Sequence, residues 1–283
     1  MEPGLPTQAE KARIFAALHQ QASFIIPNPW DAGTARLLAQ LGFKALASTS
    51  AGFAFSCGQP DNFITRETMM GHLRQLTAAT GLPVSADLEN GFADAPAEVA
   101  KTIRLAAEAG VVGGSIEDTT GRPEDPIYPR ELAAERIRAA AEAARALPFK
   151  FILTGRAENF ITGRPDLADT ISRLQAYQEA GADVLYAPGL KSSEDIATVL
   201  REIDRPLNVL MGLTGMTLGF SELAELGVRR MSVGGSLARA AFGEFMRAAE
   251  ELKDHGTTDY AKTAASGAVL NGMFKAASGG QKA

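Results

Sequence analysis

The chain has 283 residues, of which 46% are hydrophobic and 22% are charged, and its formal net charge at pH 7 is −5. This composition is typical of a soluble globular protein, and the scattered basic residues and short apolar runs argue against a nucleic-acid or membrane partner. The lone cysteine, Cys57, excludes an internal disulfide and a cysteine-rich zinc site, and the N-terminal residues have no hydrophobic signal core, so we expect a cytoplasmic protein.

Short apolar runs alternate with alanine-rich helical stretches along the chain. The pattern predicts strands over 24–28, 45–49, 83–87, 113–117, 151–156, 184–187, 207–210 and 230–233, each followed by a helix, over 32–41, 65–80, 95–109, 131–147, 166–180, 193–202, 221–226 and 236–252. Eight such units predict an α/β fold, a single (β/α)8 TIM barrel that spans residues 1–283. A doubly wound open sheet would show the same alternation, and periodicity does not exclude it.

The C-terminal part, about 236–275, is predicted to be helical, with a further helix over 260–275. The apolar side of that helix needs a surface to cover, either on its own barrel or on a neighbouring subunit. Residues 276–283 are predicted to form a disordered tail.

Acidic side chains recur where the apolar runs end, namely Asp31, Asp87, Glu89, Glu117 and Asp118. Because the carboxyl ends of barrel strands share one face, these carboxylates should meet at the active face of the barrel. Asp87, Glu89 and Glu117, with no histidine or thiol nearby, suit Mg²⁺ (or Mn²⁺) better than zinc, and Mg²⁺ would keep several of its waters. The alternative is that the acids are solvated loop residues, helix caps or partners of arginines.

Two features could bind an anionic substrate. Arg156 ends the fifth strand, where a guanidinium can clamp a carboxylate or phosphate, or can simply pair with Glu117 or Glu158. The stretch Ser-Thr-Ser-Ala-Gly at 48–52 follows the second strand, and its hydroxyls and backbone amides can cradle an anionic oxygen.

Other chemistry is disfavoured by where the residues fall. His19, His72 and His255 lie in helical stretches away from the strand ends, which argues against a serine–histidine–acid triad and a histidine-ligated zinc. The Gly-Gly-Ser at 234–236 could hold a phosphate, or could ease the chain into the last helix.

Short motifs in a fixed order connect these features: Trp30-Asp31, 48–52 followed by Gly-Gln-Pro-Asp at 58–61, Asp-Leu-Glu-Asn-Gly-Phe at 87–92, Ile-Glu-Asp at 116–118, Gly-Arg-Ala-Glu at 155–158 and Ala-Tyr-Gln-Glu-Ala-Gly-Ala-Asp at 176–183. Together they resemble the isocitrate lyase/phosphoenolpyruvate mutase superfamily over residues 27–245.

The resemblance implies a barrel whose last helix is swapped between the subunits of a homodimer or homotetramer. It implies Mg²⁺ held, largely through water, by Asp87, Glu89 and Glu117. The implied substrate is a small 2-oxo or 2-hydroxy carboxylate, in which a carbon–carbon or carbon–phosphorus bond beside the oxo carbon is made or broken. On this basis we assign substrate binding to Trp30, Asp31, Thr49, Ser50, Ala51, Arg156 and Asn208, and catalysis to Asp61, Arg156, Glu117 and Tyr128.

One loop departs from the superfamily pattern. The lyases carry a lysine–cysteine–glycine–histidine signature after the fourth strand, whereas residues 119–128 here contain neither cysteine nor histidine. This difference argues against isocitrate or methylisocitrate cleavage that uses the loop cysteine. Reactions that need no proton from this loop stay open, as do ones that use Arg122 or Tyr128. In addition, glutamate replaces aspartate at Glu89.

Three functions follow from these residues. The first is a Mg²⁺-dependent lyase or decarboxylase that cleaves a carbon–carbon bond of a small 2-oxo or 2-hydroxy (di)carboxylate, such as a 2-oxo dicarboxylate or its aldol-like adduct. The reaction would pass through an enolate, whose charge a metal ion would offset. The second is phosphoenolpyruvate mutase or phosphonopyruvate hydrolase chemistry, for which Thr119 and Thr120 are poor matches. The third is a barrel that binds a 2-oxo acid without turning it over.

Overall fold

The computed structural model describes residues 5–277, and within this range eight parallel strands form one sheet in the order β1-β8-β7-β6-β5-β4-β3-β2. The strands are β1 (Phe24–Ile26), β2 (Leu46–Ala47), β3 (Val84–Asp87), β4 (Gly113–Glu117), β5 (Ile152–Arg156), β6 (Val184–Tyr186), β7 (Leu207–Leu210) and β8 (Arg230–Ser232). The two end strands, β1 and β2, meet where Ala47 N donates a 3.0 Å hydrogen bond to Pro27 O. The sheet is therefore a nearly closed (β/α)8 barrel, which confirms the predicted fold over the doubly wound alternative.

The helices that surround the barrel are α1 (Gln8–Leu18), α2 (Ala32–Gln40), α3 (Ser50–Ser56), α4 (Arg66–Ala79), α5 (Pro96–Glu108), α6 (Arg130–Arg145), α7 (Leu167–Ala180), α8 (Ser193–Glu202), α9 (Phe220–Leu226), α10 (Ser236–His255) and α11 (Gly267–Ala277), with a 3-10 turn over Asp259–Lys262. The helix expected over 260–275 is thus divided into this turn and α11.

Two helices were not anticipated from the sequence. In α1, the Thr7 side chain accepts from Glu10 N while the Glu10 carboxylate accepts from Thr7 N, a capping box that the Thr-x-x-Glu spacing could have indicated. In α3, Thr49 is the N-cap and its hydroxyl accepts from Gly52 N at 3.2 Å. The sequence of α3 does not indicate a helix, because it is short and its serine and glycine residues are also typical of loops.

Helix α1 covers the end of the barrel where the strands begin. Its Phe15 is fully buried and clusters with Phe24, Val112, Ile152 and Val184, which lie at or just before the first residues of four strands. Burying these side chains excludes water from that end by the hydrophobic effect. A ligand can therefore enter from the opposite, carboxyl end of the strands.

The C-terminal helices bury little of their apolar surface. Within the described chain, Ala238 is the one buried side chain of α10, while Phe245 is 70% exposed and Met246 is 56% exposed. Helix α11 contacts α2 of its own chain. The expected tail over 276–283 begins inside α11, and its residues from 278 onward lie outside the described range. None of the helices within residues 5–277 is both long and apolar enough to cross a membrane.

Candidate active site

A cavity of about 350 Å³ opens at the carboxyl ends of the strands. This volume suits a small organic ligand. Of the residues that the sequence assigned to function, the structure brings together Thr49, Ser50, Ala51, Asp61, Asp87, Glu117, Arg156 and Asn208 in the cavity wall.

Asp87, the last residue of β3, joins β3 to the start of α3. Its Oδ2 accepts hydrogen bonds from Ser50 N at 3.0 Å and from Ser50 Oγ at 2.9 Å, and Asp87 N donates to Ser48 Oγ at 2.8 Å. A carboxylate at a helix N-terminus is favoured by the helix dipole and the free amides there. The Ser50 donors are therefore engaged by Asp87, and Asp87 Oδ1 is left facing the other acids without a hydrogen-bond donor among the described residues.

Arg156 links the acids of the cavity. Its Nη1 lies 3.0 Å from Glu117 Oε2 and 3.5 Å from Asp87 Oδ1, and its Nε pairs with Glu158. Although burial lowers the pKa of Arg156, the carboxylates of Glu158 and Glu117 raise it well above its ordinary value. The guanidinium is thus always charged, and it serves both as the partner of the acids and as a wall of the cavity.

Glu117, at the end of β4, is as buried as Glu89, each being 7% exposed. Burial raises its pKa, against the nearby Arg156 charge, which lowers it. Its Oε1 accepts a 2.5 Å hydrogen bond from Thr119 Oγ1. Thr119, the first residue of the divergent loop, therefore orients this carboxylate.

Glu89 lies in a strained turn after β3. Its φ is 48°, in the left-handed region that favours glycine. Glu117 N donates a 3.0 Å hydrogen bond to the carbonyl oxygen of Glu89. Since β3 ends at Asp87, the expectation that Asp87 and Glu89 share one side of an extended strand does not apply. The Glu89 side chain instead lines a neighbouring cavity of about 730 Å³, which shares Asn62 and Thr119 with the central one.

The Glu89 carboxyl group is poorly stabilised by the protein itself. Its Oε1 is buried and accepts no hydrogen bond from the residues the structure describes. Burial, then the charges of Asp87, Glu117 and Asp61, raise the pKa of Glu89 to about 8. An unsatisfied buried acid beside other acids is costly unless a cation comes near it.

These acids fit a hydrated divalent cation. Within residues 5–277, no three histidine, cysteine, aspartate or glutamate side chains converge closely enough to hold an ion directly. The excess of carboxylates and the orphaned oxygens of Asp87 and Glu89 are nevertheless suited to Mg²⁺, which keeps several waters between itself and the protein. All the atoms that could act as metal ligands are oxygens, which Mg²⁺ and Mn²⁺ prefer.

Asp61 lies at the exposed rim of the cavity. Partial burial of its carboxyl group, and then the charge of Asp87, raise its pKa. A raised pKa makes the protonated form of this carboxyl group more available for proton transfer.

Besides Glu89, three assigned residues lie outside the wall of the central cavity, namely Trp30, Asp31 and Tyr128. The Asp31 carboxylate caps α2, accepting from Thr34 N at 2.7 Å, and Trp30 N donates to Thr34 Oγ1 at 3.2 Å. Tyr128 is 1% exposed, donates its hydroxyl proton to Asp94 and stacks on Arg136. The sequence could not separate a capping or buried role from a substrate contact for these residues.

The divergent loop forms a small hairpin. Thr119 and Ile127 make an antiparallel bridge, and Thr120 Oγ1 accepts a 3.0 Å hydrogen bond from Arg122 N. Arg122 reaches away from the cavity to Asp94, at 3.1 Å. Of this loop, Thr119 is the residue that lines the central cavity.

Several positioning residues were missed or left open by sequence reasoning. Asn28 fastens three strand ends: its Nδ2 donates to Ser48 O at 2.9 Å, and its Oδ1 accepts from Val233 N and Gly234 N at 3.0 and 2.8 Å. The Gly234 amide is thus already paired, which favours the structural interpretation of the Gly-Gly-Ser stretch. Asp118 is also structural, since it accepts from Tyr177 Oη at 2.6 Å and from Arg173 at 3.1 Å.

Comparisons with known proteins agree with this geometry. A family model described as phosphoenolpyruvate phosphomutase matches residues 15–253. A crystal structure from Burkholderia cenocepacia J2315, provisionally assigned as a lyase/mutase, is 62% identical, with a TM-score of 0.93 over 94% of this chain and 97% of that chain. The structure of oxaloacetate acetylhydrolase in complex with its product oxalate is 26% identical, with a TM-score of 0.85 over 95% of each chain. The 2-methylisocitrate lyase of Halalkalibacterium halodurans is 27% identical over 263 residues, or 89% of this chain and 85% of that protein.

Proposed function

Because the chain belongs to the isocitrate lyase/phosphoenolpyruvate mutase superfamily of enzymes, we propose that it is a Mg²⁺-dependent lyase. Its reaction would cleave a carbon–carbon bond next to the oxo carbon of a small 2-oxo or 2-hydroxy carboxylate. The observation that carries this proposal is that Asp87 and Glu117 meet at Arg156 at the mouth of the barrel. The buried Glu89 lies near enough to both acids for their charges to raise its pKa.

Asp87, Glu89 and Glu117 would hold Mg²⁺, largely through water, with Mn²⁺ as a substitute. When bound, the ion supplies positive charge that offsets the negative charge developing on the substrate oxygens. Arg156 would orient the substrate carboxylate, since its guanidinium lies in the cavity wall beside these acids. The substrate would also contact Thr49, Ser50, Ala51 and Asn208, which all lie in the cavity wall.

Proton transfer would fall to groups at the rim and in the wall. Cleavage of a 2-hydroxy acid removes the hydroxyl proton, breaks the carbon–carbon bond and leaves the electron pair on the departing fragment as an enolate, which then takes up a proton. Asp61 is suited to this exchange because its pKa is raised and it lies at the entrance. Tyr128 would have to release Asp94 before it could take part.

Phosphorus–carbon chemistry is the second candidate, favoured by the description of the matching family model. The loop that would steer a phosphoryl group offers only Thr119 to the cavity, and its hydroxyl proton is directed to Glu117. The carbon–carbon reaction therefore ranks first.

The experiment is a screen of 2-oxo acids and hydroxy-diacid adducts with the purified protein and Mg²⁺, with phosphonopyruvate as a separate arm. Metal-dependent release of pyruvate or glyoxylate would support the lyase, and phosphate release or a phosphorus–carbon rearrangement would support the second candidate. Thermal stabilisation by 2-oxo acids without turnover in any arm would contradict both, since ligand binding raises stability whether or not a reaction follows. A cytoplasmic location stays a prediction.

A further inference from the structure

A second arginine lies deep in the same cavity. Arg230, the first residue of β8, pairs in register with Phe24, the first residue of β1, and is 5% exposed. Its side chain crosses the barrel interior: Nη2 donates to Thr154 Oγ1 on β5 at 3.0 Å, and Nε donates to Asn208 Oδ1 on β7 at 2.8 Å. The guanidinium therefore forms part of the floor of the cavity, which it lines.

The charge of Arg230 is not balanced by the protein. Both of its hydrogen-bond partners are neutral, and its Nη1 is buried without a partner among the described residues. No ion pair within residues 5–277 includes it. Burial lowers the pKa of Arg230 to about 10, so it is still charged at neutral pH.

The contrast with Arg156 is informative. Arg156 is surrounded by three carboxylates, whereas Arg230 has no carboxylate partner among the described residues, although it lines the same cavity as the small side chains of Ser85, Ser115 and Ser232. A buried cation is costly to keep without an anion, and small side chains leave room for a ligand to reach it. Arginine is the side chain that best matches a carboxylate with two donors.

We propose that Arg230 binds the distal carboxylate of a small dicarboxylate substrate whose 2-oxo end lies at Arg156. The inference rests on the proposed function, because it assigns a substrate-binding residue of the same site. It makes Arg230 a specificity-determining residue: a diacid satisfies the buried guanidinium, and a monoacid of the same 2-oxo chemistry leaves it unpaired.

The test compares binding of pyruvate, oxaloacetate and 2-oxoglutarate, each with Mg²⁺, to the wild-type protein and to Arg230→Met, by calorimetry. We expect at least one diacid to bind the wild type more tightly than pyruvate does. In Arg230→Met its affinity should fall by about tenfold or more, while that for pyruvate changes by less than about threefold, because a charge-assisted hydrogen bond is lost from the diacid alone. Arg229→Met is the matched control, since this neighbouring arginine instead donates to Gln21 O, away from the cavity.

Arg230→Lys keeps the proposal testable if the Arg230→Met variant does not fold. It keeps the charge and loses the planar fork, so the diacid should lose affinity while pyruvate does not. Equal losses for diacid and pyruvate, or no preference of the wild type for a diacid, would overturn the role of Arg230 and leave the proposed function standing. If none of the three acids bound the wild type in the presence of Mg²⁺, both the proposed function and the role of Arg230 would be wrong.

Discussion

Glu117 and Arg156 are direct register partners at the ends of β4 and β5, and their side chains meet at 3.0 Å. The pair is formed by strand register, so its geometry is as rigid as the barrel. It sets a cation among acids that would otherwise repel one another, and Asp87 Oδ1 and Glu89 Oε1 are left without a hydrogen-bond donor among the described residues.

Asp87→Ala should lower the Mg²⁺ affinity by about tenfold or more. The barrel should stay folded, because Asp87 lies at the active face and not in the core. Calorimetric titration with Mg²⁺ checks this, with Glu124→Ala, an exposed acid of the divergent loop, as the control. Unchanged metal affinity in the Asp87 variant would show that the site has been misassigned.

Arg156→Lys should weaken the binding of oxalate or pyruvate by about tenfold and change Mg²⁺ affinity much less, since a point charge replaces a two-pronged contact. Titrations of each ligand against the same protein preparation measure both effects. Retention of wild-type oxalate affinity would argue that Arg156 serves only as the partner of Glu117 and Glu158.

Glu89 should make stability depend on pH in the absence of metal. Its pKa is raised from 4.5 to about 8 in the folded protein, so folding favours the protonated form. This contribution is complete below about pH 4.5 and is lost as the pH rises through about 8. The melting temperature of the metal-free protein should therefore fall over this pH range, and it should fall less in Glu89→Gln. Part of the pH dependence should persist in that variant, because the pKa of Glu158 is also raised to about 8. The same slope in wild type and variant would contradict the assignment.

Arg136 should act on the metal site without touching it. Its guanidinium donates to Ala93 O and Asp94 O at 2.6 Å each and also to Asn90 O, so it clamps the turn that follows Glu89. Arg136→Met should lower the free energy of unfolding by about 2–4 kcal/mol, because buried carbonyl groups lose charged donors, and should weaken Mg²⁺ binding. Denaturant unfolding and metal titration measure the two effects. Destabilisation with full metal affinity would limit Arg136 to a structural role.

The exposed apolar side of α10 should lie in an interface between copies of the chain, as expected for a swapped helix in a homodimer or homotetramer. Light scattering after size exclusion should give a mass of two or four chains, and Phe245→Glu should lower it. Ile14→Glu, on α1, is the control with a partly exposed apolar residue. A monomeric wild-type protein would exclude the swap.

Much of this molecule follows from chain-local rules. The alternation of apolar and polar residues predicts the eight strand–helix units. It also predicts that Asp87, Glu117 and Arg156 lie at one mouth of the barrel, because parallel strands bring equivalent chain positions to one face. Helix α1 could have been added from the Thr7 and Glu10 spacing.

Other features depend on contacts between residues distant in the chain. Glu89 adopts its left-handed turn because Glu117 N and the Arg136 clamp hold that segment, and no local pattern reveals a glutamate in such a conformation. Asp31 and Asp118 come after strands and Asp87 ends one, yet Asp31 caps a helix and Asp118 pairs with Arg173. In the sequence, Arg230 is one of two adjacent basic residues, and only the closed barrel shows that its side chain lies in the interior. Sequence periodicity specifies which face a residue is on, whereas depth, charge pairing and backbone strain arise only when the strands close around a common axis.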